Sequence, residues 1–328
     1  MVTTSNKRVS ILALSTLSVC ALALLPAFAT AQSYPAKPVR LVVPFAPGGS
    51  NDVFARLVTE RLAETWPQPV VIDNRPGAAA NLGTELVARA TPDGYTLLMV
   101  SPGFAINPSL YAKAGFDPLT DFAPIVSVSL TPLVVVVHPS VPAKSLAELI
   151  RLARAQPGKL NFASAGSSTH LAAELLKARA GIDMVHVPYK GTAPATVDLL
   201  GGHVHLMLNN IQAALPHIGS GRLRALAVTS LKRSSQAPEL PTVAELGYPG
   251  FQAASWFGLV APAGVPSTVV DKLNRDVNAI LARPDVRSRM AAIGAEPGGG
   301  SPSDFLRFIE EEVAKWSTLI KRIGLQAQ

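Results

Sequence analysis

Apolar residues along this chain fall into two alternating rhythms. Short, dense runs at 39–43, 70–72, 95–100, 133–137, 160–163, 184–187, 204–208, 224–228 and 256–260 have the length and composition of strands. Between several of them, apolar residues recur at every third or fourth position. Val53, Phe54, Leu57, Val58 and Leu62 define a helix from Asn51 onward, and segments 81–89, 145–155 and 170–180 read the same way. Two helical stripes close the chain. The first is Val269, Val270, Leu273, Val277, Ile280 and Leu281; the second is Phe305, Phe308, Ile309, Val313, Trp316 and Ile320. Ser301 and Asp304 stand where a capping arrangement would start the last helix. The apolar run 133–137 suits a strand buried on both faces. Repeated β-then-α order predicts an α/β protein with largely parallel sheets.

The N-terminus departs from this pattern. Lys7 and Arg8 precede an apolar run over 9–25, followed by Pro26-Ala27-Phe28-Ala29-Thr30-Ala31. A charged start, a short apolar core and small residues in an A-x-A arrangement predict a secretory signal peptide over 1–31. Cleavage falls after Ala29 or Ala31, with Ala31 preferred, and the mature chain is expected in the periplasm. As a membrane anchor the run is marginal in length. Cys20, the single cysteine, lies inside it, so the mature chain has neither disulfide nor thiol chemistry. Val19 before it fits a lipoprotein site badly. The formal net charge is +7, and the basic residues are scattered without a Lys/Arg block or an aromatic stripe. That argues against nucleic acid as a partner and is compatible with small anions.

Catalytic signatures are missing. His203 and His205 share a face at the start of a strand, but no third ligand is near, so no metal site is expected. The segment Ala163-Ser164-Ala165-Gly166-Ser167-Ser168 lacks the first glycine of a nucleophile elbow. A hydrolase built on Ser164 or Ser167 with His170 has no third member. Neither G-x-x-x-x-G-K-[ST] nor G-x-G-x-x-G occurs, and no cofactor is expected. The chain reads as a non-enzyme.

What recurs is a polar loop at the C-terminal end of an apolar strand. These loops are Pro47-Gly48-Gly49-Ser50-Asn51-Asp52, Ser101-Pro102-Gly103, Ser164-Ala165-Gly166-Ser167-Ser168-Thr169 and Asn209-Asn210. In open α/β sheets ligands bind outside the carboxyl ends of strands. In the first loop, glycines let a ligand approach main-chain N–H groups at a helix start, which suits a carboxylate or phosphate. N-caps and turns account for each loop separately, but less well for their joint placement.

With these loops in view, the chain resembles the Bug/TctC family, the periplasmic solute receptors of tripartite tricarboxylate transporters. The matching blocks run from Tyr34-Pro35-Ala36-Lys37-Pro38 and Pro44-Phe45-Ala46-Pro47-Gly48-Gly49 through Asp73-Asn74-Arg75-Pro76-Gly77 and Thr91-Pro92-Asp93-Gly94-Tyr95. They continue with His186-Val187-Pro188-Tyr189-Lys190-Gly191, Leu223-Arg224-Ala225-Leu226 and Trp256-Phe257-Gly258-Leu259. The resemblance implies a two-lobed type II periplasmic-binding-protein fold of the Venus flytrap kind. Residues 32–132 and 230–328 would form lobe 1 and residues 133–229 lobe 2. A monomer would hold a small carboxylate between the lobes and deliver it to transporter membrane subunits. The same fold and ligand could instead report to a membrane signalling protein.

By position, Ala46, Pro47, Gly48, Gly49 and Asp52 match the family's first carboxylate-holding loop. Ser164, Ala165, Ser167 and Ser168 match the loop facing it; Ser101 and Asn209 complete the expected ligand-binding set. A carboxylate at Asp52 repels an anion, so its part would be to accept from bridging water or loop amides, to meet a ligand amino group, or simply to start the helix. This chain departs from the family in carrying Asn51 where threonine is usual, alanines at 78–80 where glycines are expected, a shorter loop before His170, and Asn209 where aspartate is frequent.

Overall fold

The structure is a computed structural model that describes residues 34–189 and 192–326; the expected signal peptide lies outside the described residues. The first run, β1 (Val39–Val43), is buried almost throughout and leads into α1 (Ser50–Leu62). Then follow β2 (Val70–Asn74), a 3-10 turn at Ala78–Ala80, α2 (Asn81–Ala88), β3 (Thr96–Val100) and α3 (Gly103–Leu110). The middle of the chain contributes β4 (Phe122–Val137), α4 (Leu146–Ala155), β5 (Asn161–Ser164), α5 (Ser167–Ala180), β6 (Val185–Pro188), α6 (Thr192–Leu200), β7 (Leu206–Asn210), α7 (Ile211–Gly219) and β8 (Arg224–Val228). The end is β9 (Ala254–Pro262), α8 (Ser267–Ala282), α9 (Pro284–Ala292), β10 (Glu296–Gly299) and α10 (Pro302–Ile323).

The strands join in the order β2-β1-β3-β9-β4-β7-β5-β6, with β8 and β10 both added to β4. Parallel pairing is confined to β1 with β2 and β3, and β5 with β6 and β7. Every contact of β4, and that of β3 with β9, is antiparallel. The expectation of largely parallel sheets therefore holds for the two βα runs and is corrected at the centre. Alternation of strands and helices does not by itself set strand direction, and β4 and β9 follow long irregular connections rather than simple crossovers.

β4 is also much longer than the 133–137 run suggests. Its first part, Phe122–Pro132, lies against β9, and Leu133–Val137 lies against β7 and β8. Pro124 sits at a register shift against β9, an irregularity where a missing N–H is tolerated. Residues 133–137 are completely buried. Leu133, Val135 and Val137 belong to one apolar cluster, while Val134 and Val136 belong to another with Ala163, Met207 and Ile211. The period of two delivers alternate residues to two cores. Where the chain leaves β8, the Thr229 hydroxyl accepts from the Leu133 N–H at 3.0 Å and lies 2.5 Å from the Ala253 carbonyl oxygen.

Local signals end the helices where expected. Gly181 adopts φ +60 at the C-terminus of α5, and Ser301 and Asp304 form a reciprocal capping box on α10. α3 and α7 escaped the periodicity reading, each carrying an internal proline, Pro108 and Pro216.

Candidate functional site

Three helices begin around one cavity of about 470 Å³. Gly49, Ser50 and Asn51 come from the start of α1, and Ser101, Pro102 and Gly103 from the start of α3. Ala165, Gly166, Ser167 and Ser168 come from the start of α5. The N-cap residues are Gly49, Pro102 and Gly166, and none supplies a side-chain cap. First-turn N–H groups have no partner inside their own helix and carry the positive end of its dipole. Among the described residues, the lining contains no Lys, Arg, His, Asp or Glu. Its potential is set by helix ends, with serine hydroxyls and the aromatic rings of Phe45, Tyr111 and Phe257 completing the wall.

The loop before α1 is shaped by Asp52, which is 3% exposed. One carboxylate oxygen accepts from the Gly48 N–H at 3.0 Å and from Arg56 Nε at 2.8 Å. The other accepts from Asn74 Nδ2 at 3.1 Å and Arg56 Nη2 at 3.2 Å. The Arg56 hydrogen bond holds the carboxyl below its ordinary range against the opposing effect of burial. Asn74 also donates to the Phe45 carbonyl at 3.0 Å, tying β2 to the loop. Gly48 has φ +85, a left-handed turn that glycine makes at no steric cost, whereas Gly49 is extended at φ −79. In the loop before α5, the Ala165 N–H donates to Thr169 Oγ1 at 2.9 Å.

A third loop borders the cavity through Ala79. Ala78, Ala79 and Ala80 all have positive φ, at 45°, 55° and 81°, although none is glycine. The Ala79 carbonyl accepts from Asn107 Nδ2 at 2.8 Å, which pins the turn to α3.

Of the residues singled out from sequence, Gly49, Ser101, Ala165, Ser167 and Ser168 line the cavity. Ala46, Pro47, Gly48, Asp52, Ser164 and Asn209 are not part of that lining. Asp52 has both oxygens engaged, by Gly48 of the loop, Asn74 of β2 and Arg56 of α1. Ser164 is buried with Oγ 2.6 Å from His186 Nε2. Asn209 is wholly buried and donates to Thr196 Oγ1 at 3.3 Å. Phe45, Ser50, Asn51, Pro102, Gly103 and Gly166 were omitted although they sit in or beside the marked loops. Ala79, Tyr111, Ser255 and Phe257 arrive from elements with no local polar signature.

The serine–histidine pair considered from sequence takes a different form. Ser164 meets His186 rather than His170, and His170 stacks on His186 with ring centroids 3.7 Å apart. His205 Nδ1 lies 2.6 Å from Asn161 Oδ1. Among the described residues no group of three His, Cys, Asp or Glu side chains could hold a metal ion, and no helix is long and apolar enough to cross a membrane.

An α/β chain whose helix starts converge on a cavity without charged side chains among the described residues is built as a solute-binding protein, and its fold matches that class. Rpa4515 of R. palustris, solved with adipate, is 42% identical, covers 89% of this chain and 99% of its own, and superposes with a TM-score of 0.76. MatC of Rhodopseudomonas palustris, with bound malate, is 34% identical over 88% of this chain and 100% of its own, at a TM-score of 0.73. BugT of Bordetella pertussis is 42% identical over 299 residues, spanning 90% of this chain and 92% of the relative. Residues 54–325 match the tripartite tricarboxylate transporter family receptor, TctC, and the chain belongs to that family of periplasmic solute-binding receptors.

Proposed function

We propose that this receptor captures a small carboxylate in the cavity and delivers it to the membrane subunits of a tripartite transporter. The observation that carries the reading is the placement of the starts of α1 and α5, neither with a side-chain cap, on one cavity that holds no charged side chain among the described residues. Helix N-termini stabilise anions through main-chain donors and the dipole. The aromatic wall suits the carbon body of an organic acid better than inorganic phosphate. Adipate and malate in Rpa4515 and MatC support the same class.

On this reading the mature chain works in the periplasm as a monomer. Residues 32–132 with 230–328 and residues 133–229 act as two lobes, with chain crossings within β4 and at Thr229. Ligand contacts to α1 on one lobe and α5 on the other favour the closed arrangement, and that differential affinity drives closure. A thermal-shift screen of mono-, di- and tricarboxylates tests the capture step. Stabilisation that grows with ligand concentration is expected, and a screen in which no carboxylate raises the melting temperature overturns it. Co-purification from membranes with transporter subunits tests delivery; recovery of a histidine kinase instead assigns the receptor to signalling.

A further inference from the structure

Of the three helices that start at the cavity, only α1 carries an acid in its first turn, Asp52; α3 and α5 carry none. Asp52 is buried, and it follows the cavity residues Gly49, Ser50 and Asn51 without joining the lining itself. Its presence has a local reason. One oxygen accepts from the Gly48 N–H and the other from Asn74 Nδ2, which fixes the loop ahead of α1. For an anion in the cavity it is the wrong charge. The positive end of a helix amounts to roughly half an elementary charge. A full negative charge in the same turn outweighs it, so α1 with Asp52 alone would repel what α3 and α5 attract.

Arg56 reverses that balance. It stands one turn further along α1, and its guanidinium meets Asp52 through Nε at 2.8 Å and Nη2 at 3.2 Å. A fork set on a carboxylate in this way fixes direction as well as charge. Glu60, a further turn along, does not compete for the fork, since it accepts from Arg289 Nη1 at 2.9 Å. With both charges present the pair sums to zero, and the helix end is left to act on the ligand. Arg56 is half-exposed and absent from the lining, so it does this without touching the cargo.

We infer that Arg56 sets the affinity of the cavity for anions through Asp52, by cancelling the charge that the loop needs for its shape. This rests on the cavity being the carboxylate site proposed above.

Titration calorimetry on matched pairs tests it: straight-chain diacids of four to six carbons, citrate and benzoate, each against the amide that replaces one carboxylate. The ratio of acid to amide affinity separates charge from fit. In Arg56→Gln, which keeps hydrogen bonding without charge, the ratio should fall about threefold or more. In Asp52→Asn it should rise, and in the double variant it should return to the wild-type value. Arg56→Lys keeps the charge without the fork. It should hold the ratio even where overall affinity drops, and it serves if Asp52→Asn does not fold. Acid and amide weakened equally in Arg56→Gln make the pair a scaffold contact only and overturn the inference. So does a ratio that both single variants move the same way, or one that Arg56→Lys lowers as far as Arg56→Gln. In each of these cases the receptor reading stands. Failure of every acid to bind removes both.

Discussion

The imidazole rings of His170 and His186 lie face to face, 3.7 Å apart and within 8° of parallel. Phe162 stacks beneath His186 at 5.1 Å, and Ser164 meets its Nε2. Glu174 lies 3.8 Å from His170 Nε2 and is itself paired with Lys177. Burial is the main force on His170 and pushes it down to about 4, with His186 and Lys177 adding repulsion. Burial, then Lys177, lowers His186 as well.

Histidines held neutral in this way tie stability to pH. In the unfolded chain they titrate near about 6.5, so between that value and about 4 the unfolded state binds more protons. Stability is therefore present above about pH 6.5 and drains away as the pH falls towards 4. Urea midpoints measured from pH 7.5 to pH 4.5 should decline, and decline less steeply in His170→Phe, which keeps the stack without the titrating group. Identical slopes would remove the stack as the cause.

Gly48 and Gly49 are adjacent but need to be glycine for different reasons. A Cβ on Gly49 would meet only the Ala46 carbonyl, at 3.8 Å, and its backbone is extended. Gly49→Val should therefore cost at most about 1 kcal/mol of stability while filling the cavity mouth and abolishing ligand-induced thermal stabilisation. Gly48 is in the left-handed region, so Gly48→Val should cost about 1–2 kcal/mol even without ligand. Thermal melts with and without carboxylate separate the two. Undiminished stabilisation in Gly49→Val would sink the assignment of this loop.

The Ala78–Ala80 turn holds three L-residues where glycine is at home. Each left-handed alanine costs about 1–2 kcal/mol, whereas glycine gives back about 0.4–1 kcal/mol through its freer unfolded chain. Ala80→Gly should accordingly gain about 0.5 kcal/mol, read as a raised denaturation midpoint. Ala79→Val, which adds β-branching to the strain, should lose stability. A less stable Ala80→Gly would show that the turn is not strained.

Much of this architecture was legible because local rules act alone there. The run at 39–43, the capping pair Ser301 and Asp304, and the stop at Gly181 each depend on neighbours in sequence, and each appears as expected. β4 was read only at 133–137 because Pro124 and Pro132 look like strand breakers until a bulge and the end of the β9 ladder accommodate them. Strand direction was misjudged because β9 reaches β3 and β4 from far along the chain. The polar loops announced the starts of α1 and α5, whereas at α3 they marked a loop without the helix that follows it. Tyr111, Ser255 and Phe257 carried no sign of it, since only tertiary packing brings them to the cavity. Asp52 takes one of the parts its residue type allowed, accepting from the loop amide of Gly48, while the Ser164 hydroxyl meets His186 on the neighbouring strand.

A cavity whose described lining draws its positive potential from helix starts rather than from lysine or arginine keeps that potential through most point mutations. The donors are main-chain groups, and short of proline no substitution deletes one. Changes at Tyr111, Ser255 or Asn51 can retune shape and hydrogen bonding while the charge complement survives intact. Cargo preference in such a scaffold can drift across generations one side chain at a time, without passing through an ancestor that has lost its hold on acids.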